Sequence, residues 1–202
     1  MKILHTSDLH FNKRWFKWIE KQQFKYDIFC IAGDFLESSK NETLVEQIDW
    51  VSKWLREFEK PLFICSGNHD IEEFENENWL DKIPNIYSDN QIVTINGIKF
   101  GSIEYIAPEF YKFDSCEVIL NHLPPSNTKT SIHKNSGDDW GDKQLRDAIQ
   151  NGTIAPKIIL SGHMHHPTSQ IDKIENTTIY NTGVDKKSDI PNFLIIELDA
   201  RE

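Results

Sequence analysis

Apolar residues along the chain follow two patterns. Short, mostly apolar runs recur at Lys2 to Thr6, Asp27 to Ala32, Leu62 to Cys65, Val118 to Leu120 and Lys157 to Leu160. Runs of this length, bounded by turn formers, read as strands buried on both faces. Between them the period changes. Trp15, Trp18, Ile19 and Gln22 keep helical spacing within residues 12–25. Leu44, Ile48, Val51, Leu55 and Phe58 step by 4, 3, 4 and 3, which is one helix face. Ser39 or Asn41 is the expected cap of that helix, and Pro61 its stop. A third helix is expected over Asp142 to Gln150, with Gly152 at its end. Ile95-Asn96-Gly97-Ile98 signals a hairpin, since both turn residues tolerate positive φ. A second hairpin is expected near Glu175-Asn176, and a last strand over Phe193 to Leu198.

Strands outnumber helices, and the first half alternates the two, which predicts an α/β fold with ligand-binding loops at strand ends. The 202 residues suit one compact domain spanning 1–202. No apolar run reaches the roughly 20 residues a membrane helix needs, so no membrane partner is expected. The stretch Met1 to His10 reads as a strand, not as a signal peptide. Cys30, Cys65 and Cys116 are odd in number and embedded in apolar runs. They read as reduced core residues, which suits a cytoplasmic setting. The net charge of −10 disfavours long nucleic acid, because phosphate binding relies on basic surface. A small phosphate ester stays compatible with it, since bound divalent cations concentrate positive charge in one cleft.

Successive predicted strands end in the same chemistry. The first runs into Asp8-Leu9-His10, the second into Gly33-Asp34, the third into Gly67-Asn68-His69-Asp70. Later strands run into Asn121-His122 and Gly162-His163-Met164-His165. Five of the eight histidines therefore sit just past strand ends. Imidazole, carboxylate and amide oxygen together suit borderline divalent ions: manganese first, with iron, zinc or nickel as alternatives. The loops carry no Cys, which argues against a structural thiolate zinc site. Asp8-x-His10 and His163-x-His165 put alternate residues on one side of an extended segment. The donors are too many for one ion and enough for two.

In this order, D-x-H, G-D, G-N-H-D, H and G-H-x-H resemble the calcineurin-like metallophosphoesterase superfamily. The likeness runs from Asp8 to Asn181-Thr182-Gly183, which is similar to the family's N-x-G. The resemblance implies a four-layer α/β/β/α sandwich of two mixed sheets flanked by helices, with a dinuclear metal site at the strand ends. It implies that Asp8, His10 and His165 hold one ion, that Asn68, His122 and His163 hold the other, and that Asp34 bridges them. It places His69 near the leaving-group oxygen as a proton donor, outside the ligand set. Two ions about 3.5–4 Å apart would clamp the phosphate and share a hydroxide that attacks phosphorus in line. Glu37 stands where the family often has Asp, as the expected partner orienting His69, and Asp70 is expected behind the ligands.

The departures bear on substrate. Protein phosphatases of the superfamily carry Asp-Arg-Gly after G-D-x-x, whereas Gly33 to Ser38 contains no Arg, and their G-N-H-E is here G-N-H-D. The opening Ile3 to His10 also resembles the superfamily's double-strand-break repair nucleases, which continue into a capping domain that shapes a DNA groove, whereas a single domain is the expectation here. Asn12-Lys13-Arg14-Trp15, Tyr105 to Phe113 and the long polar loop Leu123 to Trp140 flank the motifs. Arg14, Asn68 and His69 are the expected substrate contacts. The expected reaction is hydrolysis of a small phosphate ester, a diester such as a cyclic nucleotide or dinucleotide. A nuclease, a phosphomonoesterase or phosphoprotein phosphatase, and a non-catalytic binding module are the alternatives. His5 faces away from Asp8 and reads as packed; His166 is expected to point away from the site, and His133 to be a plain loop residue.

Overall fold

The computed structural model describes residues 1–71 and 78–199. Among these, ten strands are formed: β1 (Lys2–Thr6), β2 (Ile28–Ala32), β3 (Leu62–Cys65), β4 (Ile92–Ile95), β5 (Ile98–Ser102), β6 (Val118–Leu120), β7 (Ile158–Ser161), β8 (Ile171–Ile174), β9 (Thr177–Asn181) and β10 (Leu194–Glu197). One sheet has the order β10-β1-β2-β3, the other β4-β5-β6-β7-β9-β8. Strands β1, β2 and β3 are parallel, as are β5, β6, β7 and β9, while β10, β4 and β8 run antiparallel to their neighbours. The helices are α1 (Lys13–Glu20), α2 (Leu44–Arg56), α3 (Asn68–Ile71) and α4 (Lys143–Gln150). No helix among the described residues is long and apolar enough to cross a membrane.

Three apolar layers explain why the central strands are apolar at every position. Ile28, Cys30 and Ala32 of β2 and Phe63 and Cys65 of β3 face inward, against Phe100, Val118, Leu120 and Leu160 of the second sheet. Phe63 stacks on Phe100 across that layer, with centroids 4.8 Å apart. The alternate residues Phe29, Ile31, Leu62 and Ile64 face outward onto Trp15, Phe16 and Ile19 of α1 and Val51, Trp54 and Leu55 of α2. Ile119 and Ile159 of the second sheet pack on Leu145, Ala148 and Ile149 of α4. The result is an α/β/β/α sandwich of two mixed sheets. All three cysteines are buried and free.

Local differences from the sequence reading have plain causes. The cap of α2 is Thr43, not Ser39 or Asn41; its hydroxyl accepts the Glu46 N–H, and Glu46 reaches back to the Thr43 N–H. That reciprocal pair satisfies two helix-end donors at once. Helix α1 stops at Glu20, and residues 21–25 form turns. Asn96 and Gly97 take φ of 49° and 76°, as the hairpin signal requires.

His5 ties the sheets together. It is fully buried on β1, and its Nε2–H donates to the Ser161 carbonyl of β7 at 2.9 Å. Burial pushes its pKa down to about 4 from 6.5. Between those values the unfolded chain takes up a proton that the folded chain refuses, so stability falls as pH drops from 6.5 to 4. That single group accounts for a loss of about 3 kcal/mol across the window. His5→Gln keeps a donor for Ser161 and cannot titrate. Denaturant unfolding at pH 4.5 and 7 is expected to show a smaller drop in the variant than in the parent chain; equal drops would remove His5 as the source.

Candidate metal centre

Parallel strands deliver their following loops to one edge of each sheet, and backbone hydrogen bonds lock the loops to one another. The Asp8 N–H donates to the Gly33 carbonyl and the His10 N–H to the Asp34 carbonyl, both at 2.9 Å. Asp8, His10, Phe11, Asp34 and His163 all take positive φ, between 43° and 64°. Residues with a Cβ adopt that region at a cost, and such strain gathers at functional sites. Gly67 is held so close to Asp34 that a Cβ there would collide with its carboxylate and backbone. At Gly162 a Cβ would lie 2.5 Å from the Asp8 carboxylate.

These loops bring the seven expected donors together in two overlapping groups. His10 Nε2 lies 3.0 Å from His165 Nε2, which is 3.4 Å from the Asp8 carboxylate. Asn68 Oδ1 lies 3.1 Å from both His122 Nε2 and His163 Nδ1. Asp34 stands between the groups, 3.4 Å from His122 Nε2 and within 4.8 Å of donor atoms of Asp8, His10 and His69. The first sheet supplies Asp8, His10, Asp34 and Asn68, and the second supplies His122, His163 and His165.

The donor chemistry fits cations. His122 Nδ1–H donates to the Ala32 carbonyl at 2.7 Å, so in the neutral ring Nε2 carries a lone pair aimed at the oxygens of Asn68 and Asp34. Acceptors facing acceptors need a positive charge among them. Burial opposes charge on His122, yet the Asp34 carboxylate lifts its pKa to about 10. Burial pushes His10 and His163 down to about 4, which keeps them neutral and able to ligate. Burial also works against ionising Asp8 and Asp34. His165 beside the first and His122 beside the second still hold both carboxyls below the usual range.

Behind the donors stands Asp70, fully buried. Its carboxylate accepts the backbone N–H groups of Asp34, Phe35, Leu36 and Gly67 at 2.8, 2.8, 3.2 and 2.9 Å. Burial, and then the Asp34 charge, push its pKa up to about 8, while those N–H donors favour the ionised form. Asn181 does similar work for the second sheet. Its amide donates to the carbonyls of Gly162, Thr130 and Met164, and its oxygen accepts the Gly183 N–H. Side chain and spacing alone give no hint of that role beyond the N-x-G pattern.

Glu37 corrects the sequence expectation. Its carboxylate lies 3.5 Å from His10 Nδ1, not against His69. No hydrogen bond is formed by that buried nitrogen. A carboxylate there favours the Nδ1–H tautomer and leaves Nε2 free to ligate. The extra methylene of Glu over Asp carries the carboxylate past the position expected for a His69 partner. Arg14 also differs: its exposed guanidinium pairs with Asp189 at 2.9 Å, and it does not line the cleft beside the donors. Trp15 is buried and donates to the Ser188 carbonyl, so it belongs to the core. Tyr105 meets His122 edge-on at 5.9 Å, whereas Phe110 and Phe113 belong to the core beside α4.

A cleft of about 430 Å³ opens over the donors. Asp34, Asn68 and His69 border it, with His163 to His166 from one loop and His133, Ser136, Asp138 and Trp140 from another. His133 and His166, read from the sequence as bystanders, both line it, their rings 6.0 Å apart. The His69 N–H donates to the Asp34 carboxylate at 3.0 Å, and its ring meets His10 edge-on.

Donors of metal-binding type at the strand ends of a two-sheet sandwich describe a metal-dependent hydrolase. The calcineurin-like phosphoesterase family model matches residues 1–167, and the chain belongs to that family, which is dinuclear and metal-dependent. No curated protein matches the chain. Among solved structures, an archaeal phosphodiesterase superposes with a TM-score of 0.51 at 17% identity, covering 97% of this chain and 100% of that one. A purple acid phosphatase from yellow lupin seeds gives 0.56 at 14%, covering 82% and 38%. A 5′-nucleotidase precursor from Thermus thermophilus gives 0.55 at 12%, covering 99% and 52%. At such identities the likeness is one of fold.

His122→Ala is expected to halve the Mn²⁺ bound per chain by elemental analysis, with the circular dichroism spectrum unchanged. Full occupancy in the variant would remove His122 from the donor set. Asp70→Asn turns an NH₂ group onto N–H donors and is expected to cost about 3 kcal/mol in denaturant unfolding. The exposed control Asp147→Asn should stay within about 0.5 kcal/mol.

Proposed function

We propose that the protein is a phosphodiesterase that uses two divalent cations, Mn²⁺ first among them, to hydrolyse a small phosphate ester such as a cyclic nucleotide or dinucleotide. The observation that carries this reading is the charge of the cleft. No Lys or Arg lines it among the described residues. No Lys or Arg side chain there backs up the metal centre, which suits the single charge of a diester better than the double charge of a monoester. The cleft volume of about 430 Å³ fits a small molecule, within the usual range of roughly 300–1,000 Å³. A net charge of −10 argues against a polymeric nucleic acid. Three buried free thiols suit a reducing, cytoplasmic setting.

Asp8, His10 and His165 would hold one ion and Asn68, His122 and His163 the other, with Asp34 serving both. When bound, the ions act as Lewis acids on the phosphate oxygens and make water a nucleophile at neutral pH. The chain's own residues do the rest. The Ala32 carbonyl fixes the tautomer of His122, and the Glu37 carboxylate near His10 Nδ1 favours the tautomer that leaves Nε2 free. Asp70 and the Asp34–His69 hydrogen bond hold the third loop against the second. His69, at the cleft edge, gives a proton to the departing oxygen.

The Mn²⁺-loaded protein is expected to cleave bis-p-nitrophenyl phosphate with kcat/KM at least about tenfold above p-nitrophenyl phosphate. A preference for the monoester would overturn the reading. His69→Ala should lower kcat by about 10²–10⁴ while both ions stay bound. Loss of metal in that variant would make His69 a ligand instead.

A further inference from the structure

Five of the six tryptophans belong to one core. Trp15, Trp54 and Trp79 are buried there, and Trp18 and Trp50 pack against it. Trp140 departs from that pattern: it is 56% exposed and lines the cleft beside the donors. Its ring lies 6.3 Å from that of His163, tilted by 56°, so the imidazole does not stack on it. Beside the donors, that indole offers an unstacked planar face on which a ligand ring can lie.

The backbone that carries the indole is also held in place before any ligand arrives. The Trp140 backbone N–H donates to the Ser131 carbonyl, and the His133 backbone N–H to the Asp138 carbonyl. The Asp139 carboxylate accepts the N–H groups of Asn127 and Gly141. Gly141 sits so tightly on Ser126 that a Cβ would lie 2.5 Å from its Cα. The Lys134 N–H donates to the His166 carbonyl, which fastens this loop to the one bearing His163 and His165. A ring on a loop fixed this way loses little entropy on binding.

We propose that Trp140 is the platform for an uncharged planar ring of the substrate, and that the substrate therefore carries one phosphate and one nucleobase, as a nucleoside cyclic monophosphate does. This rests on the diesterase reading above. The phosphate meets the metal centre and the base lies on the indole. A second phosphate would find no Lys or Arg among the described cleft residues, and would meet Asp138 instead. A dinucleotide is thereby disfavoured within the broader class. Stacking of a base on an aromatic side chain is insensitive to which base it is, so adenine and uracil derivatives should both be accepted.

The test uses the Mn²⁺-loaded full chain with cyclic adenosine monophosphate, a cyclic dinucleotide and the base-free cyclic ribose phosphate, in turnover and in calorimetric binding. Trp140→Ala should raise KM and Kd for cyclic adenosine monophosphate by roughly 5- to 100-fold, leave kcat near the parent value, and leave the base-free ester unchanged. Trp140→Phe should restore most of the affinity. Equal losses on the esters with and without a base would overturn the platform, and faster turnover of the cyclic dinucleotide would overturn the single-phosphate assignment. If the parent chain binds cyclic adenosine monophosphate through Trp140 but hydrolyses no diester, the platform stands and the diesterase reading fails.

Discussion

The Asp70 carboxylate gathers four backbone N–H groups from two loops that are more than thirty residues apart in sequence. Everything at the strand ends depends on that convergence. It sets the backbone at Asp34, whose carboxylate lies between the two donor groups, and the turn at Gly67, from which Asn68 and His69 project. A buried carboxyl group is tolerable only when its oxygens are filled, and here the peptide groups fill them. The loops are then shaped by hydrogen bonds to main chain, so the side chains that face the cleft are left free for chemistry.

The same logic recurs on the other sheet in neutral form, where the Asn181 amide holds the carbonyls of Gly162, Thr130 and Met164. Between the two anchors, lone pairs of imidazole, amide and carboxylate are pressed to about 3 Å of one another. Positive φ at five residues adds backbone strain to that crowding. Neither would persist in a chain selected for stability alone. Both are explained if cations sit among the donors, and the electrostatics around His122 and Asp34 favour positive charge there even as a proton.

Much of this was legible in the sequence because two rules hold strongly. Strands buried on both faces must be apolar throughout, which exposed β2, β3, β6 and β7 directly. Metal donors cannot be scattered, so the recurrence of His and Asp past strand ends pointed at one edge of the fold. What could not be read depends on side-chain reach and on choices between equals. Ser39, Asn41 and Thr43 all cap well, and only the position of Glu46 decides for Thr43. Glu37 differs from Asp by one methylene, and that length gives it to His10. Arg14 and Trp15 follow the first motif closely, yet the helical turn of α1 sends one to Asp189 and the other into the core. The short helix at Asn68–Ile71 carries too few residues for any periodicity to show.

The centre straddles the seam of the sandwich, four donors coming from one sheet and three from the other. Ions bound there would add links between two halves already joined by side-chain packing, by His5 and by seam hydrogen bonds such as that from His122 to the Ala32 carbonyl. Occupancy and folding are thus thermodynamically linked, since anything that binds only the native state raises its population. Ions held between the layers would therefore tie the durability of this molecule to the free-ion level around it.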